Sequence, residues 1–335
     1  MTRNLVLATL ASRENTWYAL AIAWALVGIV VANAGGRATR IDCGYAVPHK
    51  SVIQQVEHTV KIILRMLFIR GILITLVVLA VVGWLGLKVS PQPFDPYPAQ
   101  TPELEPIPLP DDLPAPVERF YRAVYGDQIP VIESAIISGR ASMRVSGITF
   151  PARFRFTHIA GQDYRHYIEA TMFGLPIMKI NEYYLDGKGR MELPFGVIED
   201  EPKIDQAANL GLWAESLWLP SIFITDPRVR WAPIDDDSAL LVVPFGEVEE
   251  TFVARFDAQT GMLRFLEAMR YKDAADETKT LWINEGREWQ DIDGYTTLGV
   301  GAVTWFDEGT PWAVFTVEEV VYNADVNEYI RAAGP

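Results

Sequence analysis

The spacing of apolar and polar residues changes character along the chain, and each change predicts a different kind of element. Residues 17–32 carry no charge, and residues 71–87 form a second apolar run that extends back through Met66, Leu67, Phe68 and Ile69. Runs of this kind read as spanning helices, predicted at 17–33 and 68–87, with Trp17, Tyr18 and Trp24 as interfacial aromatics and Arg70 close enough to an end to snorkel. A buried core helix would carry a polar stripe, whereas residues 72–82 offer only Thr75. Between the runs, Val52, Val56, Val60 and Ile63 fall at roughly helical spacing, so a helix is expected to lead straight into the second span. Met66, Arg70 and the run behind them also read as a complete signal-anchor, and on that alternative reading residues 1–65 are an extension or a start-site artefact.

Residues 91–116 hold ten prolines in 26 positions, interleaved with Asp95, Glu103, Glu105, Asp111 and Asp112. This composition favours extended polyproline II and predicts a stalk at 89–112 that packs no core. A short helix follows, with Val117, Phe120, Tyr121 and Val124 on one face after Pro114 and Pro116.

Period-two alternation then takes over. Phe150, Ala152, Phe154 and Phe156 share one face while Arg153, Arg155 and Thr157 share the other, as in a half-buried antiparallel strand. Turn signals at Asp186 and Gly187, at Asp257 to Gly261 and at Asp307 to Gly309 predict hairpins. Helical spacing returns once, where Ala207, Leu210, Ala214, Leu217 and Trp218 make an apolar face that Pro220 ends. In the last strand Trp312, Val314, Val320 and Tyr322 alternate with Ala313, Phe315, Val317 and Val321, so both faces need a cover: helix 207–218 on one, and a cavity, a membrane surface or a second sheet on the other. The fold class is mainly β with α: N-terminal transmembrane helices, then a curved, half-barrel-like antiparallel sheet with a packed helix.

Charge divides the chain at the same place. Residues 1–88 carry nine Lys/Arg against three Asp/Glu; residues 89–335 carry 20 against 40, a net of -20. Arg37, Arg40, Lys50, Lys61, Arg65 and Arg70 lie between the two runs, which predicts a basic cytoplasmic loop in a two-span anchor (1–88) and an acidic domain at 113–335 outside the cytoplasm. That acidity repels phosphate backbones, so nucleic acid is excluded as a partner. Cys43 is the only cysteine, which excludes intramolecular disulfides and cysteine-rich zinc sites.

The outer domain resembles the bacterial family catalogued as domain of unknown function 6544 over residues 113–323. The matching pieces include Gly174-Leu175-Pro176; Tyr184 with Asp186, Gly187, Gly189 and Arg190; Ile204-Asp205-Gln206; Glu215 with Trp218 and Pro220; Val229-Arg230-Trp231; Ile234-Asp235-Asp236; Phe256, Asp257 and Gly261; and Tyr322-Asn323. Leu298 and Gly299 depart from the pattern, where the family prefers proline. The resemblance implies no activity. At fold level the domain is also similar to curved half-barrels that carry lipids or lipoproteins in the bacterial envelope.

Candidate chemistry is sparse. No G-x-S-x-G, HExxH or phosphate-binding glycine loop occurs. His158 and His166 fall on strands with no third ligand placed beside them, so neither a metal site nor a cofactor is expected. Asp235, Asp236 and Asp237 suit calcium or an ordinary turn. Glu215, flanked by Trp213, Leu217 and Trp218, reads as a partly buried carboxylate with Arg230 or Arg270 as its partner. Trp213, Glu215, Trp218, Arg230, Trp231, Arg270 and Trp305 are the candidate ligand-binding residues. The expected function is non-catalytic binding of a lipid or other apolar ligand at the extracytoplasmic face of the cell membrane. An envelope sensor or scaffold for another protein is the alternative, and a hydrolase using Glu215 comes last.

Overall fold

The computed structural model describes residues 49–335 except 195, 333 and 335, so the span expected at 17–33 lies outside the described residues. The first element, helix α1 (His49–Gly86), runs 38 residues without a break, as the approach and second span predict. Its Val56–Gly86 portion is the one helix among the described residues long and apolar enough to cross a membrane. At 1.5 Å per residue those 31 residues reach about 46 Å, more than the ~30 Å hydrocarbon core needs.

Beyond it, β1 (Pro106–Pro108) pairs with β2 (Gln128–Pro130) around α2 (Ala115–Tyr125). A run of hairpins follows: β3 (Ser134–Val145), β4 (Ile148–Ile159), β5 (Asp163–Met172), β6 (Leu175–Leu185), β7 (Lys188–Leu193) and β8 (Gly196–Ile198). Helix α3 (Pro202–Glu215), a 3-10 turn at Ser216–Trp218 and the short α4 (Ile222–Thr225) interrupt it. A second run comprises β9 (Arg230–Asp235), β10 (Ser238–Phe245), β11 (Val248–Phe256), β12 (Leu263–Arg270), β13 (Thr280–Ile292), β14 (Tyr295–Trp305) and β15 (Pro311–Tyr322). The two runs join where β15 pairs with β3, giving a 13-stranded antiparallel sheet ordered β8-β7-β6-β5-β4-β3-β15-β14-β13-β12-β11-β10-β9.

Helix α3 shows that this sheet curls. It packs on β6 and β7 near one edge and on β10 and β12 near the other. In a flat sheet with strands about 4.8 Å apart, the second and twelfth strands would be separated by nearly ~50 Å. A 14-residue helix is about 21 Å long and cannot reach both. The concave face therefore wraps around α3, which buries Leu210, Leu212, Trp213 and Ala214. Gly189 permits the close approach: a Cβ there would lie 3.0 Å from Ala208 Cβ and from the Ile204 carbonyl, and its N–H donates to Asp205 at 2.8 Å.

Two expectations are corrected. In β15 the alternation does not run through, because a bulge between Val317 and Glu319 inserts an extra residue and reverses the phase. Val320 and Tyr322 consequently join Ala313, Phe315 and Val317 in the main core, while Val321 packs with Ile136 and Val326 on the opposite face.

The second correction concerns the proline-rich segment. Its aromatics do pack: Phe94 lies under the guanidinium groups of Arg153 and Arg155, at 4.3 and 5.4 Å, and the Tyr97 N–H donates to Glu319 at 2.8 Å. The Tyr322 N–H donates to Thr101 Oγ1, and the Val131 N–H to the Glu105 carbonyl. Proline content favours an extended path, and an extended path is what a sheet face presenting guanidinium planes can hold. The convex face is thus covered by residues 94–101 and by the C-terminal turn, whose Tyr329 sits against Arg165. The cavity lies instead on the concave side, with the helix.

Candidate functional site

Cross-strand register places the polar heart of the concave face. Phe156 of β4 stands opposite His166 of β5, which stands opposite Glu182 of β6; one pleat along, His158 stands opposite Tyr164. Inward residues alternate, so Phe156 and His158 from one strand and Tyr164 and His166 from the next emerge on the same side. Helix α3 then delivers Glu215, its last residue, onto this row. Glu215 Oε2 lies 3.5 Å from His158 Nε2 and in ion-pair contact with His166 Nε2. Glu182 Oε2 is 3.7 Å from the other ring nitrogen of His166, and its Oε1 accepts the Tyr164 hydroxyl at 2.6 Å. Tyr164 stacks on the His166 ring at 4.0 Å with planes 12° apart.

The electrostatics are those of charges removed from water. Burial opposes protonation of His166, but the Glu215 and Glu182 carboxylates outweigh it and carry its pKa up to about 9. Burial would also lift Glu182, yet His166, Arg270 and the Tyr164 hydroxyl hold it at about 2. At Glu215 the balance falls the other way: burial pushes it above its ordinary value despite His166. Burial and the repulsion of His166 drive His158 well below 6.5, so His158 is neutral. Neither ring nitrogen of His158 has a hydrogen-bond partner, nor do His166 Nε2 and Glu215 Oε2, whose contact lacks hydrogen-bond alignment.

His166, Glu182 and Glu215 of this row line a cavity of about 290 Å³ between α3 and the sheet. Its walls are apolar and aromatic, with Trp218, Trp282, Trp305, Trp312 and Phe315 among them. Arg270 adds a cation, held 4.3 Å over Trp282 and 5.9 Å from Trp305. The indole N–H groups of Trp218, Trp282 and Trp312 and the Arg270 Nε have no protein acceptor.

Of the residues expected at a site, Glu215, Trp218, Arg270 and Trp305 meet at this cavity. Trp213, Arg230 and Trp231 do not. Trp213 is core, donating to the Pro244 carbonyl at 3.3 Å; Trp231 packs edge-on against Phe223; Arg230 pairs on the surface with Glu249. Glu215 takes His166 as its contact, with Arg270 acting through space. Asp235 and Asp237 form a turn, Asp235 Oδ1 accepting the Asp237 N–H at 3.0 Å. The expectation that no third donor accompanies the two histidines is also corrected: His158, His166 and Glu215 bring three donor atoms within 4.8 Å of one another. Alternation on β4 and β5 puts both histidines on the inner face, a signal present in the sequence. Glu182, which sequence reasoning missed, had no such signal, because only the register across β5 and β6 places it here.

A DUF1329 family protein from Desulfovibrio piger is 13% identical with a TM-score of 0.36, covering 65% of this chain and 98% of its own. A LolA superfamily protein from Nitrosomonas europaea is 9% identical with a TM-score of 0.39, covering 65% and 96%. No curated protein matches the chain in sequence. The sequence profile described as a family of unknown function (DUF6544) matches residues 104–317, well over half of the chain, and the protein is a member of that family.

Proposed function

We propose that this protein is a membrane-anchored, non-catalytic binding protein that holds a lipid-like ligand in the concave cavity, outside the cytoplasm. The observation that supports this most is the cavity itself. Aromatic walls that also carry the charged side chains of His166, Glu182, Glu215, Arg270, Lys272 and Glu285 suit an amphipathic molecule whose chain lies on the indoles and whose polar group meets those charges. A volume of about 290 Å³ is at the small end for ligand sites, which fits a single acyl chain or similar slender group.

Anchoring rests on α1, whose side chains Phe68, Ile69, Leu73, Ile74 and Leu76 are all more than half exposed, as lipid-facing residues of a single spanning helix must be. Exposed apolar residues also gather where that helix ends. The Phe173 N–H donates to the Gly86 carbonyl at 2.8 Å, and Phe173, Leu175 and Ile177 are exposed. Such a cluster at the end of a spanning helix is suited to the lipid interface.

The test uses the full chain in nanodiscs with cis-parinaric acid, read by energy transfer from tryptophan. Val303 lines the cavity, so wild type should show saturable transfer that the space-filling Val303→Phe abolishes. Equal transfer in both would overturn the reading.

A further inference from the structure

We propose that His158, His166 and Glu215 form a binding site for a borderline divalent transition metal of the zinc class. The donors come from three elements that only the folded sheet and helix bring together, β4, β5 and the end of α3. A tetrahedral zinc with bonds of about 2.1 Å spaces its donors about 3.4 Å apart. The His158 Nε2 to Glu215 Oε2 separation, 3.5 Å, already matches that spacing. The His166 contact with Glu215 is closer and opens by a small side-chain rotation as the ion enters.

The second observation is independent of spacing. His158 is fully buried, and neither of its ring nitrogens has a hydrogen-bond partner. Buried polar groups are almost always satisfied, and an imidazole beside a second imidazole and a carboxylate is satisfied by a shared cation. Around it, Glu182 faces the far nitrogen of His166 at 3.7 Å and is itself fixed by the Tyr164 hydroxyl. A carboxylate behind a ligating histidine holds one ring proton on the distal nitrogen, and the entering ion displaces the other from the near nitrogen to solvent. Glu182 is therefore a positioning residue. Histidine nitrogen and carboxylate oxygen without thiolate select zinc, cobalt or nickel over calcium and magnesium.

Three protein donors leave a fourth position open, as in sites that bind an exogenous ligand. His166 and Glu215 line the cavity, so that position faces it. An anionic head group entering the cavity would meet the ion first.

The experiment takes the full chain in detergent micelles, stripped with chelator and titrated with cobalt(II). One equivalent should give the visible ligand-field bands of a four-coordinate ion, displaced by zinc(II). His158→Ala and Glu215→Gln should lose the bands, and Glu182→Gln should weaken affinity roughly 10- to 100-fold. Zinc-edge X-ray absorption of the wild type needs no variant and should show two imidazoles and one carboxylate. Sub-stoichiometric binding, a six-coordinate aquo-like spectrum, or an absorption fit without two imidazoles would overturn the site. None of these readouts involves lipid, so failure here leaves the binding reading untouched and failure of the dye experiment leaves this one untouched.

Discussion

The hydroxyl of Tyr322, at the end of β15, donates a 2.7 Å hydrogen bond to the main-chain carbonyl of Trp218, to which Thr297 Oγ1 adds a second at 3.1 Å. The carbonyl belongs to the 3-10 turn after α3, one of the groups a helix end leaves without an internal partner. Two strands of the second run therefore fix the point at which the chain leaves the concave face, and with it the indole that forms the cavity wall.

Trp218 packs against Phe154, Phe156 and Phe315, with ring centroids 6.3, 5.8 and 6.2 Å away, and is 4% exposed. Trp218→Ala is expected to cost about 3 to 5 kcal/mol, the range for truncating a buried large aromatic. Thermal denaturation checks it, and a loss below about 1 kcal/mol would make this residue a ligand contact with little role in packing.

Tyr322→Phe removes one of the two donors to the Trp218 carbonyl and leaves Thr297 in place. The expected loss is about 1 kcal/mol, with ring packing on Tyr295 preserved. A double-mutant cycle with Thr297→Val should be non-additive, because the second removal orphans a buried carbonyl.

Glu169 lies on the convex face against Arg153 and the Tyr167 hydroxyl, at 2.6 and 2.7 Å. Burial would raise its pKa, but the hydrogen bonds from Tyr167 and Arg153 prevail and hold it below 4.5. A carboxylate depressed in the folded state contributes stability that is present above its unfolded value and lost as pH falls through the folded one. Wild type should thus lose melting temperature below about pH 4.5 more steeply than Glu169→Gln does. Parallel curves for the two proteins would show that the ion pair adds nothing.

Phe94→Ala together with Tyr97→Ala removes the aromatic surfaces that Arg153 and Arg155 cover. Residues 89–101 should then exchange amide hydrogens faster and be cut sooner by protease, while strands β4 and β5 keep their protection. Unchanged exchange in the segment would mean that its backbone contacts alone hold it down.

The class of each element was present in the sequence because local periodicity and turn chemistry act over a few residues. Uncompensated apolar character marks α1, alternation marks β4, and Asp-Gly pairs mark the hairpins. Helix 207–218 was placed by its apolar face and Pro220, although the helix itself begins at Pro202, where proline suits the first turn. What the residues could not express alone is anything that depends on contacts far apart in the chain. The bulge at Val317 reverses a face only because β3 pairs across it, and proline-rich residues pack only because the guanidinium faces of Arg153 and Arg155 are brought beneath them. Glu215 meets two histidines 49 and 57 residues earlier because a 13-stranded sheet must curl to bury the two sides of one helix. Periodicity assigns each side chain to a face, while curvature and register decide which faces meet, and the site exists at that second level.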